Sequence, residues 1–210
     1  MSADSPDTTL RFGEKSREAK AAVILVHGRG SNPREIGGIT RLLPSKGIRF
    51  YAPGAADGTW YPQRFLAPLD DNEPALSIAL GTLDLLVEEI LAEGIPLQRI
   101  GFIGFSQGAC LSLEYVSRTP ARYGFVAGLS GALIGPLDTP RADGDLSGTP
   151  VLLGCAEADA HIPLPYVERS ARVLTGQKAE VTTVIFPGST HSVFHEELDW
   201  LKPRMSALSA

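Results

Sequence analysis

Cysteine is scarce in this sequence of 210 residues, which contains only Cys110 and Cys155. Both cysteines have apolar neighbours, one on a predicted helix and one on a predicted strand. Domains stabilised by disulfides carry more cysteines in a shorter chain, so a disulfide framework is excluded. We predict that both cysteines are buried free thiols.

Clusters of basic residues and long apolar runs are also missing. The 19 Lys and Arg are outnumbered by 24 Asp and Glu, which argues against nucleic acid as a partner. No apolar run reaches the ~18 residues of a transmembrane helix. The polar start of the chain lacks the basic and apolar parts of a secretory signal. We therefore expect no integral membrane segment and a cytoplasmic location.

Apolar runs alternate with helical patterns along the chain. The runs that predict buried strands are 21–26, 48–52, 100–105, 125–129, 151–154 and 181–186. The segments that predict helices are 34–43, 75–92, 109–119, 165–174 and 196–208, and Pro203 is expected to end or kink the last of them. Residues 8–12 are predicted to add a short antiparallel edge strand, and residues 1–7 a flexible tail.

This alternation of strands and helices predicts the fold class. It is typical of an α/β domain with a mostly parallel central sheet and helices on both faces. The length suits a single domain over residues 1–210, without a large separate cap domain.

The stretch Gly104-Phe-Ser106-Gln-Gly108 joins a predicted strand to a predicted helix. This is the G-x-S-x-G pattern of a nucleophile elbow, in which a strained turn exposes the serine hydroxyl. Glycines on both sides let the strand and the helix approach closely. The free N–H groups at the helix start face the position where an oxyanion would form.

A serine hydroxyl needs a base, and the base needs a carboxylate that orients it. Asp159 follows the predicted strand 151–154, and His191 follows the predicted strand 181–186. The order serine, acid, histidine is that of α/β hydrolases. We predict that Ser106, Asp159 and His191 form a catalytic triad.

Other assignments of the acid and the base stay open. Glu157 is the rival acid, and Asp138, Asp143 and Asp145 follow an earlier strand where some hydrolases place it. His161 lies in the loop of the acid, and His195 lies four residues after His191. Asp159, His161 and His191 could also be drawn as a metal site, but no metal-binding motif supports it, and we expect no metal and no cofactor.

The stretch His27-Gly-Arg-Gly30 follows the first buried strand, at the sheet edge where α/β proteins bind ligands. We predict that the backbone N–H groups of Arg29 and Gln107 form the oxyanion hole. His27 is expected to anchor the turn. The pattern does not match a phosphate-binding loop.

Residues 53–74 form a long irregular segment of the kind that is often functional or lid-like. It contains Trp60, Tyr61, Phe65 and Leu66 among polar and proline residues. We expect these side chains to line an apolar substrate wall. The alternative is that they only cover the core beneath the loop.

Four motifs together resemble the phospholipase/carboxylesterase family of small α/β hydrolases, which is related to acyl-protein thioesterases. They are Leu25-Val-His27-Gly-Arg-Gly30, the elbow motif, Asp159-x-x-Ile-Pro163 and Pro187-Gly-x-x-His191. The resemblance implies a cofactor-free carboxylic-ester hydrolase of broad specificity, often homodimeric. It assigns the same triad and the same two oxyanion donors.

Two departures from the family pattern bear on the substrate. Trp60-Tyr61-Pro62 lacks an aspartate that many relatives have, and Ser31 replaces an acidic residue. We expect a serine carboxylesterase that acts on small to medium esters through an acyl-enzyme. The alternatives are a thioesterase or lysophospholipase and, from another class, a non-catalytic ligand-binding protein.

Overall fold

Seven strands form one sheet at the centre of residues 8–210, which are the residues described by the computed structural model. The strands are β1 Leu10–Gly13, β2 Ala21–Val26, β3 Ile48–Ala52, β4 Ile100–Phe105, β5 Phe125–Leu129, β6 Pro150–Ala156 and β7 Glu180–Phe186. Their order is β1-β3-β2-β4-β5-β6-β7. Only β1 is antiparallel to its neighbour, so the predicted mostly parallel sheet is confirmed. The predicted flexible tail, residues 1–7, lies outside the described part.

Residues 8–210 also form five α-helices, of which four lie between strands and the last follows β7. They are α1 Pro33–Gly37, α2 Ala75–Ala92, α3 Gln107–Arg118, α4 Leu164–Gly176 and α5 His195–Leu208. Within residues 8–210, no helix combines the length and the apolar character needed to cross a membrane.

Two helices differ from their predictions. The helix predicted over 34–43 ends as an α-helix at Gly37 and continues as a 3₁₀ helix over Gly38–Leu42. Two adjacent glycines favour this change because glycine is a poor former of α-helix. Pro203 was expected to end or kink α5, and it does not end the helix, which continues to Leu208. Apolar side chains on both sides of the proline, Leu201 and Met205, are fully buried and hold the helix on the sheet.

The sheet separates two apolar cores. Alternate residues of a strand point to opposite faces, so Ile24 enters one core while Val23 and Leu25 enter the other. Helices α2, α3 and α4 pack on the first face, and α1 and α5 pack on the second. Strands buried on both faces explain why the sequence shows continuous apolar runs instead of alternation.

The parallel direction of the strands places several loops at one edge of the sheet. The segments after β2, β4, β6 and β7 all leave from the carboxyl ends of their strands. Two of these segments continue the pairing beyond the sheet, because the N–H of Glu157 donates to Phe186 O and the N–H of Ala158 to Gly188 O, at 2.8 and 2.9 Å. This pairing fixes the segments that carry Asp159 and His191.

Candidate active site

Ser106 occupies a strained turn between β4 and α3. Its backbone has φ 54° and ψ −117°, a region that residues with a side chain rarely adopt. The flanking glycines are required by close packing. A Cβ on Gly108 would collide with the carbonyl oxygen of Val26, and one on Gly104 would collide with the backbone of Gly108. The sequence therefore folds here into the sharp turn predicted for an elbow.

A chain of hydrogen-bonding contacts joins Ser106, His191 and Asp159. Nε2 of His191 lies 2.8 Å from Oγ of Ser106, and Nδ1 of His191 lies 2.7 Å from Oδ2 of Asp159. The carboxylate is an acceptor, so Nδ1 carries the proton and Nε2 offers its lone pair to the serine hydroxyl. The arrangement can accept a proton from Ser106.

The Asp159 carboxyl is held in its charged form although its side chain is fully buried. Burial alone raises its pKa. The hydrogen bond with His191 and the backbone N–H groups of His161 and Ile162 outweigh burial, and the pKa is lowered overall. Those N–H groups donate to Oδ1 at 2.8 and 3.1 Å. An ionised carboxylate at this place stabilises a protonated imidazole.

The loop after β2 and the start of α3 carry the two backbone N–H groups predicted to form the oxyanion hole, and a cavity lies beside Ser106. They belong to Arg29 and Gln107, both of which line the cavity. Within residues 8–210 neither N–H donates to another group of the chain.

The side chains of these two residues tie the site to the 53–74 segment. The Arg29 guanidinium donates to the carbonyls of Tyr61, Pro62 and Gln63 at 2.7–3.1 Å. The Gln107 amide donates to Tyr61 O at 2.8 Å, and its oxygen accepts from the N–H of Trp60 at 3.1 Å. These contacts fix the two N–H groups relative to the segment, a role for the side chains that the sequence analysis missed.

His27 holds the turn after β2, as predicted. It is fully buried, with Nδ1 2.7 Å from Gly28 O, while Nε2 accepts from the N–H of Ala55 at 3.1 Å. Burial lowers its pKa, and the Gly28 carbonyl only partly opposes this effect. The ring is therefore neutral and structural.

The cavity above Ser106 has a volume of about 470 Å³. Two of the four residues expected in its apolar wall, Tyr61 and Phe65, do line it, but Trp60 and Leu66 do not. Trp60 turns inward because its indole N–H donates to His27 O at 2.8 Å and its ring packs beside the imidazole. Leu66 packs against the core instead.

Further residues line the cavity without having been predicted to. They include Glu35, Arg64, Cys110, His161 and Ile162. Glu35 has a recognisable signal, because Asn32 caps α1 and a glutamate three residues later completes a capping pattern. The sequence contains no signal that places Arg64 at the cavity. Its position depends on hydrogen bonds to the carbonyls of Ala160 and His161, which are distant in sequence.

The rival acids and the rival base lie elsewhere. Glu157 is exposed, as are Asp138, Asp143 and Asp145. The side chain of His195 is 76% exposed and faces Asp199 at 3.5 Å. The His161 ring lies 4.8 Å from the His191 ring but is not part of the contacts that join Ser106 to Asp159. Among residues 8–210, no group of three His, Cys, Asp or Glu side chains is arranged to hold a metal ion.

Both cysteines are free and buried, as predicted. Burial raises the pKa of each thiol to about 12, so neither forms a reactive thiolate at neutral pH. Cys110 lines the cavity four residues after Ser106, and Cys155 lies beneath Asp159 with its Sγ 3.4 Å from Ile162 O.

The chain is similar to known enzymes over nearly its whole length. The profile of the Phospholipase/Carboxylesterase family matches residues 9–208. Acyl-protein thioesterase 1 of Yarrowia lipolytica is 29% identical over 94% of this chain and 97% of that protein. Acyl-protein thioesterase 1 of Gibberella zeae is 32% identical, but that alignment covers 54% of this chain and half of that protein.

A solved structure indicates the same family. The crystal structure of a phospholipase/carboxylesterase from Dyadobacter fermentans is 36% identical, covers 96% of this chain and 97% of its own, and superposes with a TM-score of 0.90. The resemblance inferred from the four sequence motifs is thereby confirmed. The chain belongs to the phospholipase/carboxylesterase family of hydrolases and has the α/β-hydrolase fold.

Proposed function

We propose that this protein is a serine carboxylesterase that hydrolyses small to medium carboxylic esters through an acyl-enzyme. The observation that carries the proposal is the chain of contacts from Ser106 through His191 to Asp159, beside a cavity that Arg29 and Gln107 also line. Geometry of this kind is the basis of acyl transfer by serine hydrolases.

In the first step His191 removes the proton of Ser106 as Oγ attacks the ester carbonyl carbon. The carbonyl π electrons move to the oxygen, and the N–H groups of Arg29 and Gln107 donate to the resulting oxyanion. Asp159 stabilises the imidazolium that forms. Loss of one oxyanion donor typically costs ~10²–10³ in rate.

In the second step the tetrahedral intermediate collapses and the bond from carbon to the leaving oxygen breaks. His191 donates its proton to that oxygen, so a neutral alcohol departs and an acyl group remains on Ser106. A water molecule then attacks the carbonyl carbon of the acyl-enzyme, and His191 removes a proton from this water. Its attack releases the carboxylic acid and restores the serine hydroxyl.

The size of the cavity supports the limit to small and medium acyl groups. Tyr61, Phe65 and Ile162 are all buried and border the space beside Ser106. A volume of about 470 Å³ suits a compact ligand, whereas a long acyl chain would extend beyond it.

A thioesterase activity is the second candidate. Relatives named acyl-protein thioesterase support it, and a thioester would form the same acyl-enzyme with a thiol as the leaving group. Comparing an oxygen ester and a thioester of the same acid separates the two candidates through their kcat/KM values.

The test is hydrolysis of p-nitrophenyl esters from acetate to palmitate. We expect wild-type activity to peak at short or medium chains. Ser106→Ala should lose at least about 10³-fold in kcat while its circular dichroism stays unchanged. Ser77→Ala changes an exposed serine on α2 and should behave as wild type. Normal turnover by Ser106→Ala would contradict the assignment of Ser106 as the nucleophile. A wild-type protein that is inactive on every ester and thioester would favour a non-catalytic ligand-binding protein.

A further inference from the structure

A second groove adjoins the reaction cavity on the α1 side of the elbow. It has a volume of about 400 Å³. Its walls are apolar side chains from α1, from the 3₁₀ helix that follows α1, from the segment after His191 and from α5. They are Ile36, Ile39, Leu42, Val193 and Leu198. The 53–74 segment contributes no residue to this lining.

The groove and the reaction cavity are adjacent and share part of their lining. Gly28, Ser31, Glu35 and Phe105 line both spaces. Phe105 directly precedes Ser106, and its ring centroid lies 5.1 Å from that of His191. A ligand bound at Ser106 that extends past this shared wall would enter the groove.

The position of His191 decides which part of an ester lies there. His191 must come within hydrogen-bond distance of the leaving oxygen to protonate it, so the leaving alcohol lies on the His191 side of the reacting carbon. His191 itself lines the reaction cavity, and the groove beside it is lined by Phe105, whose ring lies next to that of His191, and by Val193 and Leu198. Tyr61, Phe65 and Ile162 border the other part of the site.

We propose that this groove is the alcohol subsite, and that it selects esters of apolar, uncharged alcohols with several carbons. The inference rests on the proposed esterase function and deepens it. It divides the site into an acyl part beside the 53–74 segment and an alcohol part beside α1.

A negative charge on the wall shared by the groove and the reaction cavity supports the preference for uncharged alcohols. The carboxylate of Glu35 accepts hydrogen bonds from Ser31 Oγ at 2.6 Å and from Asn32 Nδ2 at 2.9 Å, which hold it on the shared wall. A phosphate-bearing leaving group would pass this carboxylate and enter an apolar groove. Both effects disfavour it, so the subsite also counts against lysophospholipids as substrates.

The experiment varies the alcohol and the acid separately. Acid release is followed with ethyl, butyl and hexyl acetate, and then with ethyl acetate, butyrate and hexanoate. In the wild type each added alcohol methylene should raise kcat/KM about threefold to fourfold until the groove is filled, the gain expected for burying a CH₂ group.

Two variants place polarity in the groove. The side chain of Leu42 is largely exposed, so Leu42→Glu should fold normally, and Ile39→Thr keeps a β-branched residue in the 3₁₀ helix. Each should lower the ratio of hexyl to ethyl acetate kcat/KM by at least about fivefold without changing the ratios in the acyl series. Leu85→Glu replaces an equally exposed leucine on α2 and should keep both wild-type ratios.

Three results would overturn the assignment. A wild type indifferent to alcohol length would show that the groove is not used. Variants that change the acyl ratios instead would assign the groove to the acid. Variants that keep the wild-type alcohol ratio would show that alcohols bind elsewhere. Failure of the wild type on every ester would contradict the esterase function itself, and that result is distinct from these three.

Discussion

The charged state of Asp159 is the residue-scale feature on which the proposed mechanism depends. Asp159→Asn keeps the size of the side chain but removes the charge that orients and stabilises His191. We expect kcat/KM to fall by roughly 10³–10⁴, as expected when a triad carboxylate becomes an amide. Glu157→Gln, in the same loop but exposed, should stay within about twofold of wild type.

An ester assay of these two variants side by side decides which residue is the carboxylate that orients His191. If Glu157→Gln is the more damaged variant, the assignment of Asp159 is contradicted. Because the pKa of Asp159 is lowered, the aspartate stays ionised as the pH falls below neutrality. Loss of wild-type activity near neutral pH should therefore not reflect protonation of Asp159.

Glu197 gives a second prediction at this scale, on stability. It is fully buried on α5, and only one of its oxygens accepts a hydrogen bond, from the N–H of Phe194 at 2.7 Å. Burial raises its pKa to about 7, whereas an unfolded glutamate has a pKa near 4.3. The folded state thus binds more protons over this window, and the contribution of Glu197 to stability falls as the pH rises from about 4.5 to 7.

Glu197→Gln removes this dependence. Relative to wild type, its free energy of unfolding should rise by roughly 2 kcal/mol between pH 5 and pH 8, at 1.36 kcal/mol per pKa unit. Urea unfolding at the two pH values measures this, with Glu88→Gln, at an exposed position on α2, as control. A parallel pH dependence for Glu197→Gln and wild type would show that the buried carboxyl keeps an ordinary pKa.

Chain order and strand context predicted which residues would meet at the site, but not every contact within it. Ser106, Asp159 and His191 all follow strands, so the topology brings them to one edge. The inward turn of Trp60 was not predictable, because it depends on a hydrogen bond to His27 O across 33 positions of sequence. The same holds for the Gln107 amide, whose partners lie in another loop.

At the scale of elements, the elbow requires glycine where the helix meets β2. Gly108→Ala would push a methyl group into the Val26 carbonyl, so we expect several kcal/mol of destabilisation or loss of ester hydrolysis through displacement of Ser106. Gly81→Ala, at an open position in α2, should instead raise stability by about 0.5–1 kcal/mol. Thermal melts and ester assays of both variants test this, and a Gly108→Ala protein as stable and active as wild type would contradict it.

Element types were predictable because most strands are buried on both faces. Continuous apolar runs gave the bounds of β2, β3, β4 and β5 as observed. Where the end of a helix or strand depends on tertiary contacts, the observed end differed from the predicted one. Helix α5 passes through Pro203 because its neighbours are anchored in the core, and propensity alone contains no information about that packing.

At the scale of the whole molecule, the alternation of strands and helices predicted the class of fold. It did not predict the strand order, which is set by long-range packing of the two cores. We propose that residues 8–210 form one domain, since both cores use the same sheet.

The unfolding of the molecule tests this proposal. Trp60 packs in the core beneath α2 and α3, whereas Trp200, on α5, packs against the core on the other face of the sheet. Single-tryptophan variants (Trp60→Phe and Trp200→Phe) should report the same denaturant midpoint by fluorescence, coincident with circular dichroism. Separate midpoints for the two cores would contradict a single cooperative domain.

The central claim is that Ser106 is a nucleophile activated by His191 and Asp159. A fluorophosphonate reacts covalently with such a serine, with loss of fluoride, so the direct measurement is mass spectrometry of the labelled protein and its peptides. We predict one adduct, on Ser106, absent in Ser106→Ala and strongly slowed in Asp159→Asn. An adduct on another residue, or no adduct on a folded wild-type protein, would contradict the account.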